Sequence, residues 1–126
     1  MSEERPGWHR HPNGGGWVQD TASVDETAHI GPDAQVFGTA RVYGAARVFG
    51  SRHVLTVGPI GSEDQTLTLF RTEAGYGVGV GCWHPDGATL DDLTAEVQRR
   101  APDHADEYEA AMALCRVRIE EWDAQR

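Results

Sequence analysis

From Val18 onward the chain keeps one six-residue period, VQDTAS, VDETAH, IGPDAQ, VFGTAR, VYGAAR, VFGSRH, and Val54 opens a further unit. Val18, Val24, Ile30, Val36, Val42, Val48 and Val54 share one position of the hexad, and Ala22, Ala28, Ala34, Ala40 and Ala46 share another. A period of six matches neither the 3.6 residues of an α-helical turn nor a simple hairpin spacing. It fits a solenoid in which each hexad supplies one flat face and three hexads close a triangular coil. The branched residue then points into the narrow interior, where β-branching packs well against its equivalent one coil away. Alanine sits where the coil turns and a larger side chain would clash.

Eighteen residues per coil places 18–35 in a first coil and 36–53 in a second. With coils about 4.8 Å apart the stack is only roughly 10 Å tall. Repeats gain stability mainly from their neighbours, so so short a stack needs closing by the rest of the chain or by a partner. The hexads, "ARVYG" above all, resemble the hexapeptide-repeat, left-handed parallel β-helix family, in particular the short repeats of phage and prophage proteins. The resemblance covers about residues 17–54 and implies a homotrimer, or a multiple of three, with parallel axes.

After Val54 the rhythm stops. "HVLTVGPI", "TLTLFRT" and "VGVGCW" read as three strands of an antiparallel meander, separated by the turn-rich "GSEDQ" and "EAGYG". Gly79 and Gly81 leave one face of the third strand almost bare, as suits the close approach of a helix, another backbone or, less often, a ligand. Thr89 opens "TLDDLTAEVQRR" with a Thr-x-x-Asp cap and apolar Leu90, Leu93 and Val97 at helical spacing. Pro102 ends that helix and Asp103 is placed to cap a second. In the second, Tyr108, Met112, Cys115, Ile119 and Trp122 form a stripe suited to packing on a sheet or, alternatively, to a coiled-coil seam. The expected class is mainly β with C-terminal α: a two-coil left-handed parallel β-helix followed by a small β-β-β-α-α domain. The expected layout is a flexible tail over 1–16, the repeat over 17–54 and an α+β capping domain over 55–126.

The two coils differ chemically. The first presents Asp20, Asp25, Glu26 and Asp33; the second presents Phe37, Tyr43 and Phe49, one after each inward valine. Three aromatics around one coil predict an apolar belt covered partly by the C-terminal domain and partly by neighbouring subunits. Arg41 and Arg47 occupy the last, outward position of successive hexads, His53 follows in phase, and Arg52 replaces the alanine. Phe37, Arg41, Tyr43, Arg47, Phe49, Arg52 and His53 therefore form a candidate ligand-binding set, because guanidinium beside an aromatic ring suits a phosphate with a stacked base. The plain alternative is that these arginines pair with first-coil carboxylates and hold subunits together.

Many hexapeptide-family members are acyltransferases with a histidine base, and the resemblance draws attention to His29 and His53. Two coils leave almost no groove for an acyl-carrier cofactor. Relatives that hydrate carbon dioxide hold zinc with three histidines, and only these two are in place. His9 and His11 belong to the tail, and a Cys82–His84 pair needs both residues on one strand face. No catalytic residue, cofactor or resident metal is expected.

With 20 acidic against 11 basic side chains and a net charge of -9, nucleic acid is a poor partner. No apolar run approaches the roughly 20 residues of a membrane span, and "MSEERPGWHRHPNGGGW" lacks a signal-peptide core. The expected location is the cytoplasm, with Cys82 and Cys115 reduced. The leading expectation is a non-enzymatic oligomeric assembly protein, phage-encoded by resemblance. The alternatives are an oligomeric binder that sequesters an anionic, nucleotide-like small molecule, and a degenerate hexapeptide acyltransferase.

Overall fold

A computed structural model describes residues 5–85 and 87–125. Seven short strands come first: β1 (Trp8–Arg10), β2 (Trp17–Gln19), β3 (Ser23–Val24), β4 (His29–Ile30), β5 (Gln35–Val36), β6 (Arg41–Val42) and β7 (Arg47–Val48). Three longer strands follow, β8 (Val54–Ile60), β9 (Gln65–Arg71) and β10 (Tyr76–Val80), and then two helices, α1 (Leu90–Arg100) and α2 (Ala105–Ala124).

The hexads pair one pass of the chain with the next, in parallel: Val18 opposite Val36, Val24 opposite Val42 and Ile30 opposite Val48. Val18, Ile30, Val36, Val42 and Val48 are buried, as are Ala28, Ala34, Ala40 and Ala46. The expected left-handed parallel β-helix is nonetheless not formed. Among the described residues the chain makes several small separate sheets, with no closed or solenoid sheet. Two of the three parallel ladders hold two strands each, and the third gains its extra strand from β1, which is antiparallel. Two passes of the chain give each strand from β2 to β7 a single parallel neighbour, and a sheet of a solenoid grows only as further passes stack on it.

Residues 8–16, expected as a solvated tail, lie over one end of these ladders. The Gly16 N–H donates to the Ile30 carbonyl (2.8 Å) and the Ile30 N–H to the Asn13 carbonyl (3.0 Å). His11 is buried, its Nε2 2.8 Å from the Ala28 carbonyl oxygen. His9 is tied to Asp20 (2.7 Å).

The other end meets the antiparallel sheet, whose strand order is β10-β9-β8. Alternation along β9 divides its side chains between two cores. Phe70 joins the ladder core, while Leu67 and Leu69 join Val78, Val80 and the helices. The Thr68 hydroxyl accepts from the Arg41 N–H (3.1 Å), and the Thr39 and Thr66 hydroxyls lie 2.7 Å apart. The sheet is thus sandwiched between the ladders and the helices. Its bare glycine face is filled by the chain itself. A Cβ on Gly79 would meet the Trp83 carbonyl and the His84 Cβ at 2.9 Å, and one on Gly81 would meet the Gln65 side chain.

The Thr89 capping box starts α1, its hydroxyl accepting from the Asp92 N–H and the Asp92 carboxylate accepting from the Thr89 N–H. Asp103 does not cap α2. It lies inside a 3-10 turn, Pro102–His104, and His104 holds the cap position without a side-chain bond. Tyr108, Met112, Cys115 and Trp122 are buried against the sheet, with Ile119 packed beside them, so the stripe is core and not a seam. Among the described residues, no helix is long and apolar enough to cross a membrane.

Candidate functional site

The hexad geometry distributes the seven candidate residues to different places. Tyr43 does not belong to an exposed belt. It is buried edge-on against Phe70, ring centroids 4.8 Å apart, and its hydroxyl donates to the Val78 carbonyl (2.9 Å). The cause is β9, which brings Phe70 beneath the second pass of the chain and closes the space a neighbouring subunit was expected to fill. Phe37 and Phe49 stay outside, 53% and 48% exposed.

Phe49, Arg52 and His53 gather near the C-terminal turn of α2, and Arg47 stands beside the end of β9. Arg52 makes a bidentate pair with Glu121, its Nη2 2.8 Å from Oε1 and its Nε 3.0 Å from Oε2. That bond holds the Glu121 carboxyl below the usual range and raises Arg52. The Arg52 carbonyl accepts from Trp122 Nε1 (2.9 Å) and from Arg118 (3.0 Å). His53 Nδ1 accepts from the Phe49 N–H (3.0 Å), and its ring also meets Trp122. Arg47 lies 3.6 Å from Glu73. The guanidinium of Arg71 sits over the Phe49 ring at 5.8 Å. The expected pairing with first-coil carboxylates is therefore replaced by pairing with Glu73 and Glu121 from the C-terminal half. Much of this cluster fastens α2 and β9 to the ladders. His29 packs on Phe49, with its Nδ1 3.3 Å from the Asn13 side-chain oxygen.

Arg41 stands elsewhere, in a cleft of about 320 Å³ between β3, β6 and the sheet. Thr21, Ser23, Thr39 and Thr68 line it, and His84 reaches Arg41 with Nε2 3.5 Å from Nη1. A second hollow of about 290 Å³ shares Ser23, Arg41 and His84 and extends to Asp25 and Tyr43.

Cys82 and His84 do not form a nucleophile pair. β10 ends at Val80, Gly81 turns with φ +52, and Cys82 lines a pocket on the helix side with Tyr108 and Arg100. His84 lines the cleft on the ladder side. Cys115 is buried, and burial pushes its thiol up to about 11, which keeps it protonated and inert at neutral pH. Among the described residues, no group of three His, Cys, Asp or Glu side chains is placed to hold a metal ion.

Sequence reasoning missed Thr68, Arg71, Glu73, His84, Glu121 and Trp122 as neighbours of the candidate residues. The strict Thr/Leu alternation of "TLTLF" was the available signal: a strand with two unlike faces has a second surface to cover. No protein-family model, curated protein or solved structure matches the chain.

Proposed function

We propose that this protein is a non-catalytic assembly module that associates with copies of itself, as a trimer, in a reducing compartment that keeps Cys82 and Cys115 unbridged. The observation that carries the reading is the exposure of Phe37 and Phe49 on a unit whose two ends are covered by residues 8–16 and by the β8–β10 sheet. Large exposed aromatics on a small domain favour burial against another surface. With both ends of the ladders covered, a second copy can reach these rings only from the side. Lateral contacts of one patch with a different patch close into a ring when the rotation permits.

The histidines support a structural role as well. The Nδ1 lone pair of His53 is used by the Phe49 N–H, and His29 is held between Asn13 and Phe49, so neither is poised as a base for acyl transfer.

The experiment is light scattering on the purified chain and on the double variant Phe37→Asp/Phe49→Asp. Desolvating two unpaired carboxylates at each contact disfavours association by a few kcal/mol per protomer, about 2 or more. The wild type is expected as a trimer and the double variant as a folded monomer. Identical masses for the two proteins contradict the proposal.

A further inference from the structure

Arg47 and Arg52 are matched with Glu73 and Glu121, but among the described residues no carboxylate lies within ion-pair distance of Arg41. Its guanidinium reaches the His84 imidazole, Nη1 3.5 Å from Nε2. At that length the contact is weak and engages one of the guanidinium's five N–H groups, so an acceptor lying between the two side chains would be held by both. His84 is held at this spot. The Trp83–His84 backbone lies directly on Gly79, where any side chain would displace it, and the imidazole packs 5.4 Å from the Tyr43 ring.

The surroundings are rich in hydroxyls. Thr68 is buried and its oxygen already accepts from the Arg41 N–H, which leaves its hydroxyl hydrogen to donate. Ser23, paired with Arg41 across β3 and β6, and Thr39, whose hydroxyl lies 2.7 Å from that of Thr66, line it as well. Among the described residues the imidazole of His84 is the only ring lining the cleft of about 320 Å³, and it packs against Tyr43, so the cleft has no broad aromatic platform for a stacked base. Asp64 is also among its lining residues, and Asp25 lines the adjoining hollow, so a chain of phosphates would meet more like charge than a single compact anion does.

We propose that the cleft between β6 and the Trp83–His84 segment binds a hydroxylated compound of sugar size carrying one compact oxyanion, with Arg41 and His84 on the anion and Ser23, Thr39 and Thr68 on the hydroxyls. A phosphate monoester and a carboxylate share this chemistry. The geometry removes the nucleobase from the ligand expected from sequence and moves the site away from Phe49, Arg52 and His53.

The test is a set of NMR titrations of the full-length chain, uniformly labelled with nitrogen-15, using ribose 5-phosphate, gluconate and pyrophosphate at matched ionic strength. Saturating amide shifts with either sugar anion are expected at Arg41, Thr68 and residues 79–84, and the arm that saturates more tightly identifies the anion. Arg41→Gln, an exposed substitution, should weaken that binding by about tenfold or more, as loss of a charge-assisted bond requires. Arg99→Gln on α1, whose side chain pairs with Glu96, should leave it unchanged. Pyrophosphate should bind no more tightly than the sugar anion. Absence of saturation with both sugar anions, shifts centred elsewhere, wild-type affinity in Arg41→Gln, or tighter binding of pyrophosphate would overturn the proposal.

Discussion

Cutting Tyr43 back to alanine opens a hole between Phe70 and the second pass of hexads, because its ring fills the space between the parallel ladders and the antiparallel sheet. Large-to-small changes at such sites cost about 3–5 kcal/mol, and Tyr43→Ala is expected in that range by urea denaturation. Tyr43→Phe keeps the volume and loses the bond to the Val78 carbonyl, so about 1 kcal/mol is expected. Equal costs for the two variants would mean that the ring is not packed as described. The same packing fixes the effect of Tyr43→Asp. The charge enters the chain's own core, so the variant loses stability whatever the oligomeric state. That Tyr43 would be the covered aromatic was not legible from the hexads, which give Phe37, Tyr43 and Phe49 equivalent positions. The choice among them is made by which one Phe70 reaches, a contact across 27 residues of chain.

At the level of elements, α2 is tied at its far end to the loop after β7 through Trp122, Arg118 and the Arg52–Glu121 pair. Glu121 has its carboxyl lowered chiefly by the bond from Arg52. A depressed carboxylate stabilises the fold above its unfolded value, near 4.3, and that contribution is lost as pH falls through the lower folded value. Glu121→Gln should therefore flatten the dependence of stability on pH in that acidic window and leave the neutral-pH slope unchanged. Because the pair is at the surface, added salt should shrink the difference between variant and wild type. A difference that persists undiminished at high salt would contradict the assignment. Elements governed by local rules were readable: the three strands of the meander from their alternation, and α1 from its capping box and its Leu90, Leu93 and Val97 stripe. Asp103 was misread as a cap because proline at the first position of the Pro102–His104 turn favours a tight 3-10 start that delays α2.

At the scale of the molecule, the chain stacks three layers, the paired hexads, the antiparallel sheet and the two helices, with β9 contributing side chains to both cores. The period of six correctly singles out which residues face inward, since Val36, Val42 and Val48 are buried together with Ala40 and Ala46. It does not by itself determine that a solenoid sheet forms, because each sheet extends only as passes stack, and here each ladder stops after one parallel pairing. The candidate site was legible only in part for a related reason. Sequence phase brought Arg41, Arg47 and Arg52 to the surface, but their partners Glu73, His84 and Glu121 arrive from the C-terminal half by tertiary packing that no local pattern encodes. Among the described residues the three layers leave Phe37 and Phe49 exposed, together with Leu114 and Val117 on α2, and the functional account rests on the two rings being covered by another copy. Sedimentation equilibrium of the unmodified chain over a hundredfold range of concentration tests this most directly. The account predicts a mass three times that of the chain at the upper end of the range, giving way to folded monomer on dilution; a monomer at every concentration would contradict it.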